Sequence, residues 1–378
     1  MRILMTTIKG EGHLRPLLPF ADAFRERGHD VLIAIPETAT GLVLDAGHEA
    51  WALPQAPDAV VDAVFARTQG ASRDEANAIV VGDLFAGVHG SAAMPGVMSA
   101  VAEWLPDVVL HESCEFAGPL TAERAGLPSI RVAVHMEALE RSIVGFAARQ
   151  VDRLRAEHDL APDPQGERLL AGRSVTLTPP ALDGGRREAH YREPQARLMP
   201  PPGRWDGDER PLVYLSYGTV APQGDAYPAI YRDAIERLAG LEVRLLLNTG
   251  RRDPAELGAL PAGVHAERWV HEAAVLPYVA AMVSHGGAGS VRTALSAGVP
   301  LAVLPRFGDQ PLNGEAVEAA GAGLVVADAG GLRNAVSTLL TEPAYAGVAT
   351  GIAAEVAGLP PAGEAIEVLC DALATFAV

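Results

Sequence analysis

His285 follows an apolar run, Val279–Val283, and Ser284, and is itself followed by Gly286, Gly287, Ala288, Gly289 and Ser290 before a helix-like segment begins. Backbone N–H groups at a helix start lack helical partners and lie at the positive end of the helix dipole. Glycines let a ligand approach those groups closely, and His285 and Ser290 add side-chain donors. This is the chemistry of an anion cradle, suited to a diphosphate. A plain strand-to-helix turn capped by Ser290 fits the same residues. The chain has no GxxxxGK[ST], which excludes the P-loop form of such a cradle. A second histidine, His13, follows the first apolar run within Gly10-Glu11-Gly12-His13-Leu14-Arg15. Arg15 stands where a dinucleotide fingerprint has its third glycine. A free imidazole titrates at about 6.5, which suits a general base; a solvated residue at a helix start is the alternative.

Acids at strand ends complete the inventory. Glu112 follows the apolar run Val108–His111, with Glu115 close behind. Either can orient a histidine, or be a solvated loop acid. Asp206-Gly207-Asp208 lies in a Pro/Gly-rich stretch and Asp163 between two prolines, so both read as turns rather than metal ligands. Cys114 and Cys370 are far apart and form no CxxC or Cys/His ligand spacing. No metal site is expected, and the cysteine usage points to a reducing, cytoplasmic setting.

The elements that must position these residues alternate between strand and helix. Arg2–Ile8, Val31–Ile35, Asp107–His111, Ile130–Val134 and Arg173–Leu177 read as strands, with helices at Leu14–Gly28, from Thr121 to Gly126, and at Glu137–His158. Continuous apolar strands between helices predict a parallel sheet covered on both faces. Pro54–Pro95 shows no clean period and reads as loops and short helices. A stretch rich in Pro, Gly and charge, 199–211, reads as a linker. The alternation then restarts with Leu212–Ser216, Tyr227–Ala239, Val243–Asn248, Met282–Ser284, Leu301–Pro305 and Gly323–Val326. The expected division is therefore residues 1–198, a linker at 199–211, residues 212–361, and a final helix within 362–378 that returns to brace the first domain. Ligands in open α/β sheets sit at the carboxyl ends of strands, and a crevice between two such domains is the expected active site.

Bulk properties narrow the partners. A chain of 378 residues is too long for one ordinary core. A net charge of −17 without a basic stripe argues against nucleic acid. No apolar run is read as reaching the roughly 20 residues that span a bilayer, and the N-terminus reads as a strand rather than a signal peptide. Two identical chains are expected on base rates. No GxSxG occurs, which excludes a hydrolase nucleophile elbow.

Several motifs in order, Gly12-His13-Leu14-Arg15-Pro16, Ser216-Tyr217-Gly218-Thr219, Trp269-Val270-His271, the His285–Ser290 turn and Asp309-Gln310-Pro311-Leu312-Asn313, resemble the GT-B glycosyltransferases of family 1. The likeness is strongest to the actinobacterial enzymes that decorate antibiotics, and it covers nearly the whole chain. The resemblance implies an α/β, GT-B fold of two Rossmann-like domains. It implies a hexosyltransferase-type enzyme moving a sugar from a nucleotide donor to a hydroxyl of a polyketide or antibiotic aglycone, with inversion and without a metal or other cofactor. By resemblance, His13 deprotonates the acceptor and Glu112 orients it, although the family more often has Asp there. His285, Gly286, Gly287, Gly289 and Ser290, with Gly218 and Thr219, hold the diphosphate. Trp269 and Val270 meet the base, or pack in the core. Asp309 and Gln310 meet sugar hydroxyls, or cap the next helix. The acceptor would contact the Pro54–Pro95 region together with His135 and Phe146.

UDP-using relatives usually carry Glu eight residues after the motif histidine, where it grips the ribose hydroxyls; this chain has Thr293. Deoxyribose lacks the 2′ hydroxyl, so a dTDP-sugar is the expected donor, with a UDP-sugar as the alternative. A sugar-nucleotide epimerase and a nicotinamide oxidoreductase are rival enzymes, and a silent auxiliary subunit is the non-enzyme rival. Neither nucleic acid nor membrane is an expected partner.

Overall fold

Six short apolar runs of the first part of the chain form strands in the computed structural model, which describes residues 1–184, 190–202, 207–220, 222 and 227–376. They are β1 (Arg2–Thr6), β2 (Asp30–Pro36), β3 (Glu49–Leu53), β4 (Val108–Glu112), β5 (Ser129–Ala133) and β6 (Arg173–Thr176). All pair in parallel, in the order β3-β2-β1-β4-β5-β6. Ile3, Leu4 and Met5 are wholly buried, because a parallel sheet is covered on both faces and its central strands have no wet side. The chain returns to the middle of the sheet at β4, so the loops after β1 and β4 leave a crevice between them at the strands' carboxyl ends.

The second part repeats the plan. Strands β7 (Leu212–Ser216), β8 (Arg244–Asn248), β9 (Val264–Glu267), β10 (Ala281–Ser284), β11 (Leu301–Val303) and β12 (Gly323–Val325) pair in parallel in the order β12-β11-β10-β7-β8-β9. Here the equivalent switch lies between β7 and β10. Of the four edge strands, β6 and β12 are read from the sequence, whereas β3 and β9 escape it; both are short and only partly buried, and each includes a glutamate.

Contacts divide the chain into two units. One comprises Met1–Thr178, Arg186–Pro194 and Pro360–Val378; the other comprises Pro179–Gly185 and Gln195–Leu359. Within the first, Ala365 and Leu369 near the C-terminus are wholly buried in the same core as Phe20 and Tyr191. Of the stretch read as a linker, Met199 donates its N–H to the Ala274 carbonyl at 3.2 Å; residues 203–206, including Asp206, lie outside the described residues. Asp208 pairs with Arg210 at 2.7 Å, and that guanidinium holds its carboxyl down at about 2.

The region from Pro54 to Pro95 differs most from expectation. Arg73–Trp104 is one continuous helical stretch, α3 by the numbering in which α1 is Glu11–Leu14 and α2 is Leu18–Glu26. Its middle, Ala78–His89, is a π-helix. The i→i+5 spacing of a π-helix breaks the 3.6-residue pattern by which helices are recognised, which is why no period is visible. The stretch is 32 residues long, and an 18-residue window within it has a mean hydropathy of 1.3, so by length and composition it could cross a membrane. A buried core helix of a globular protein meets the same criterion, and Asp83 and His89 interrupt the apolar residues of this stretch. In the fold, 44% of that window is buried, and Gly82, Leu84, Ala86, Gly87, Met94, Val97 and Ala100 are its inward positions. Gly82 faces α4 (Glu137–Glu157), where a Cβ would lie 2.6 Å from the Phe146 carbonyl oxygen.

Candidate active site

In the first unit the chain leaves β1 and turns through Gly10, whose φ of 137° strongly favours glycine, into the single turn α1 that carries His13. Glu112 is the last residue of β4 and is wholly buried. Parallel pairing sets Thr6 opposite His111 and brings the two strand ends together. His13 Nδ1 then lies 3.1 Å from Glu112 Oε2. The same oxygen accepts the Cys114 N–H at 2.8 Å, and Oε1 lies 3.5 Å from the Ile8 nitrogen. A carboxylate only accepts, so this contact assigns the imidazole proton to Nδ1 and the lone pair to Nε2. Phe85 from the π-helical segment stands edge-on to the His13 ring, with centroids 5.9 Å apart.

Glu115, the other acid within reach by sequence, has a different partner set. It accepts from the Ala117 N–H at 2.7 Å and the Gly118 N–H at 2.8 Å, the first donors of the helix Ala117–Ala125, and from the Thr6 hydroxyl. Burial, acting against these three donors, pushes its carboxyl up to about 7. Glu115 anchors a helix start, whereas Glu112 meets the histidine. His111, just before Glu112, is buried too; loss of hydration, helped by Arg131, takes its imidazole down to about 4.

Thr7, Ile8, Leu53, Val61, Phe85 and Phe116 help to line a mostly apolar pocket of about 90 Å³. Leu53, Phe85 and Phe116 carried no motif that a sequence reading could have used. Pro54 belongs to this pocket, but His135 and Phe146 do not line it. The His135 N–H donates to Glu140 at 3.1 Å, within a buried set that includes Arg131 and Ser113. Phe146 borders an open groove with Arg149 and Ile79.

In the second unit, the residues after β7 and β10 meet at its switch point. Gly218 has φ 72°, and its N–H donates to Ser216 Oγ at 3.3 Å. The His285 ring packs so close that a Cβ on Gly218 would lie 2.7 Å from its Nε2, and one on Gly287 would lie 2.5 Å away. Gly286 has φ 87°, and a Cβ there would meet Val303 Cγ1 at 2.6 Å. By contrast, a Cβ on Gly289 would meet nothing within 4 Å. Burial lowers the His285 imidazole, while Asp309 and the Ser216 backbone pull it the other way.

The helix Ala288–Ser296 begins at Gly287 without a side-chain cap. Ser290 is therefore not its cap; its hydroxyl faces Glu272 Oε2 at 3.4 Å. Asp309 Oδ2 accepts from Asn313 Nδ2 at 2.6 Å and lies 3.4 Å from the Ala288 nitrogen. Gln310 is buried, and its Oε1 accepts the Arg306 and Phe307 N–H groups at 2.8 and 3.1 Å, which shapes the loop in front of it. Trp269 is half-buried with the Arg251 guanidinium 4.7 Å above its ring, whereas Val270 is packed in the core. Thr219 is half-buried in the turn after β7. Thr293 bonds back to the Gly289 carbonyl at 2.9 Å.

Family comparison agrees with this architecture. Residues 22–185 match the model of the erythromycin biosynthesis protein CIII-like N-terminal domain, and residues 232–372 match that of its C-terminal domain. The chain is 31% identical to the L-demethylnoviosyl transferase of Streptomyces niveus, over 86% of this chain and 84% of that protein. It is also 31% identical to the elloramycin glycosyltransferase ElmGT of Streptomyces olivaceus, over 95% and 94%. The solved glycosyltransferase SnogD from Streptomyces nogalater has a TM-score of 0.75 at 26% identity, with 98% of this chain and 99% of that chain covered. The chain belongs to this family: it is a GT-B glycosyltransferase of the kind that serves antibiotic and natural-product biosynthesis.

Proposed function

We propose that the chain transfers a deoxysugar from a dTDP-sugar to a hydroxyl of a natural-product aglycone, by direct displacement with inversion. The observation that carries this reading is the His13 Nδ1 contact to the buried Glu112 carboxylate at 3.1 Å. With Nδ1–H tied to Glu112, Nε2 accepts the acceptor's proton, and the imidazolium that forms is stabilised by the carboxylate beside it. The acceptor oxygen then attacks the anomeric carbon while the bond to the diphosphate breaks. The apolar pocket that contains Phe85, the neighbour of the His13 ring, and Phe116 takes part of the aglycone.

Charge accumulates on the departing diphosphate. Backbone N–H groups around Gly287 and Gly289 and the His285 side chain meet that charge, in place of a metal. Gly218 and Thr219 border it, the exposed face of Trp269 takes the base, and Asp309 takes a sugar hydroxyl. Gln310 and Val270 support the loops that hold these groups. Support for a thymidine donor is Thr293, whose hydroxyl turns back into its own helix and offers no carboxylate for a ribose 2′ hydroxyl.

Thermal unfolding with dTDP, UDP or NAD⁺ tests the donor assignment. A ligand at 100 times its dissociation constant stabilises by about 2.7 kcal/mol. A larger midpoint shift with dTDP supports this reading. A larger shift with UDP discards the thymidine assignment, and a shift with NAD⁺ alone contradicts sugar transfer through this cradle.

A further inference from the structure

Cys114 lies two residues beyond Glu112 and is buried. Its backbone fixes Glu112, but no step of the proposed reaction uses its sulfur. Ligand atoms of His13, Glu112 and Cys114 all lie within 4.8 Å of one another. One imidazole, one carboxylate and one thiolate are the ligand types of a three-ligand zinc centre with an open fourth position. In such a centre the donors are about 2.0–2.3 Å from the metal, so neighbouring donors are about 3–4 Å apart. The observed separations, up to 4.8 Å, are wider than this, so the three side chains close in around a bound ion. His13 is partly exposed and gives a path from solvent, while Glu112 is wholly buried. The net charge of −17 favours cation approach.

We propose that His13, Glu112 and Cys114 form a binding site for a thiophilic divalent cation, zinc above all, and that filling it switches the enzyme off. A metal on His13 Nδ1 must displace the proton that Nδ1 donates to Glu112. The remaining ring proton then sits on Nε2, where the acceptor's proton would have gone. Cation binding and base catalysis therefore compete for one imidazole. The cation leaves unchanged if chelated, so the switch is reversible. The inhibitory half of this proposal rests on His13 being the base; the binding half does not.

Calorimetric titration of ZnCl₂ into the full chain, and absorption spectra with CoCl₂, separate the two halves. One metal per chain is expected, with a thiolate-to-cobalt band in the near ultraviolet. Cys114→Ser and Cys114→Ala each lose the band and weaken zinc binding at least tenfold, whereas Cys370→Ser, at an exposed cysteine, changes neither. Sugar transfer by the wild-type chain stops as zinc saturates the site and returns with EDTA. Each Cys114 variant, read against its own metal-free rate, needs at least tenfold more zinc. Unchanged zinc affinity in correctly folded Cys114 variants, or no saturable binding by the wild-type chain, overturns the site. Saturable binding with undiminished transfer overturns the switch and the assignment of His13 as base, while leaving the metal site in place.

Discussion

Between β1 and β4 the first unit sets a histidine against a buried carboxylate; between β7 and β10 the second, with the same strand order, wraps glycines around a histidine. In the first, the working groups are ionisable side chains held by backbone donors. In the second, much of the surface is backbone, and side chains are excluded by contact distance: Cβ atoms at Gly218, Gly286 and Gly287 would each come within 2.7 Å of a neighbour. A shared topology fixes where ligands meet the chain, and the residues at the switch decide its chemistry; on the proposed reading the first place moves protons and the second holds phosphate.

The largest expected effect is at the first switch. His13→Ala lowers kcat by about 10²–10⁴-fold, measured with a dTDP-sugar and a panel of phenolic and polyketide acceptors. Glu112→Gln keeps the shape but removes the charge that orients His13, and costs about 10–100-fold, less than loss of the base itself. Glu112→Asp recovers part of this, and the pH–rate profile of the Gln variant moves with kcat while KM changes little. A fall in KM-dependent binding alone would make Glu112 merely structural.

The second switch is probed by a pair of glycines. Gly286→Ala forces a Cβ against Val303 at a φ of 87° and costs about 1–3 kcal/mol of stability. Gly289→Ala meets open space within a helix and shifts stability by less than about 1 kcal/mol, in the stabilising direction. Equal effects at the two positions, in chemical denaturation, would remove the distinction between crowded and open glycines.

A further small effect sets two buried groups of the first switch against each other by pH. His111 is held neutral down to about 4, whereas an unfolded imidazole protonates at about 6.5. Between these values the unfolded chain binds the extra proton, so stability falls as pH falls. From pH 6 to pH 5 this single group accounts for about 1 kcal/mol. His111→Gln loses that dependence, seen as a smaller drop in unfolding midpoint over the same interval. Glu115, raised to about 7, acts with the opposite sign: the folded chain holds its proton above the ordinary carboxyl range, and stability falls as pH rises from about 4.5 to 7.

The parts of this fold that a sequence shows are those governed by strong local rules. Central strands such as Arg2–Thr6 and Leu212–Ser216 are buried on both faces and read as unbroken apolar runs. Edge strands β3 and β9 are only partly buried and are weaker signals, and the π-helical segment hides behind a period no helix reading tests. The pairing of His13 with Glu112 rather than Glu115 could not be read from spacing, because only Ser113 and Cys114 separate the acids; Glu115 is drawn away by the helix start at Ala117. Phe85 and Phe116 came into view only once the helix and the β4 loop were folded. His135 and Phe146 do not line the pocket that contains Phe85 and Phe116.

The most direct test is dTDP binding by calorimetry to two variants, His13→Ala and Gly287→Ala. His13→Ala should bind dTDP within about twofold of wild type while failing to transfer sugar. Gly287→Ala places a Cβ 2.5 Å from His285 Nε2 and should weaken dTDP at least tenfold, about 1.4 kcal/mol. Loss of dTDP affinity in the histidine variant, or wild-type affinity in the glycine variant, would contradict the division of labour between the two switch points.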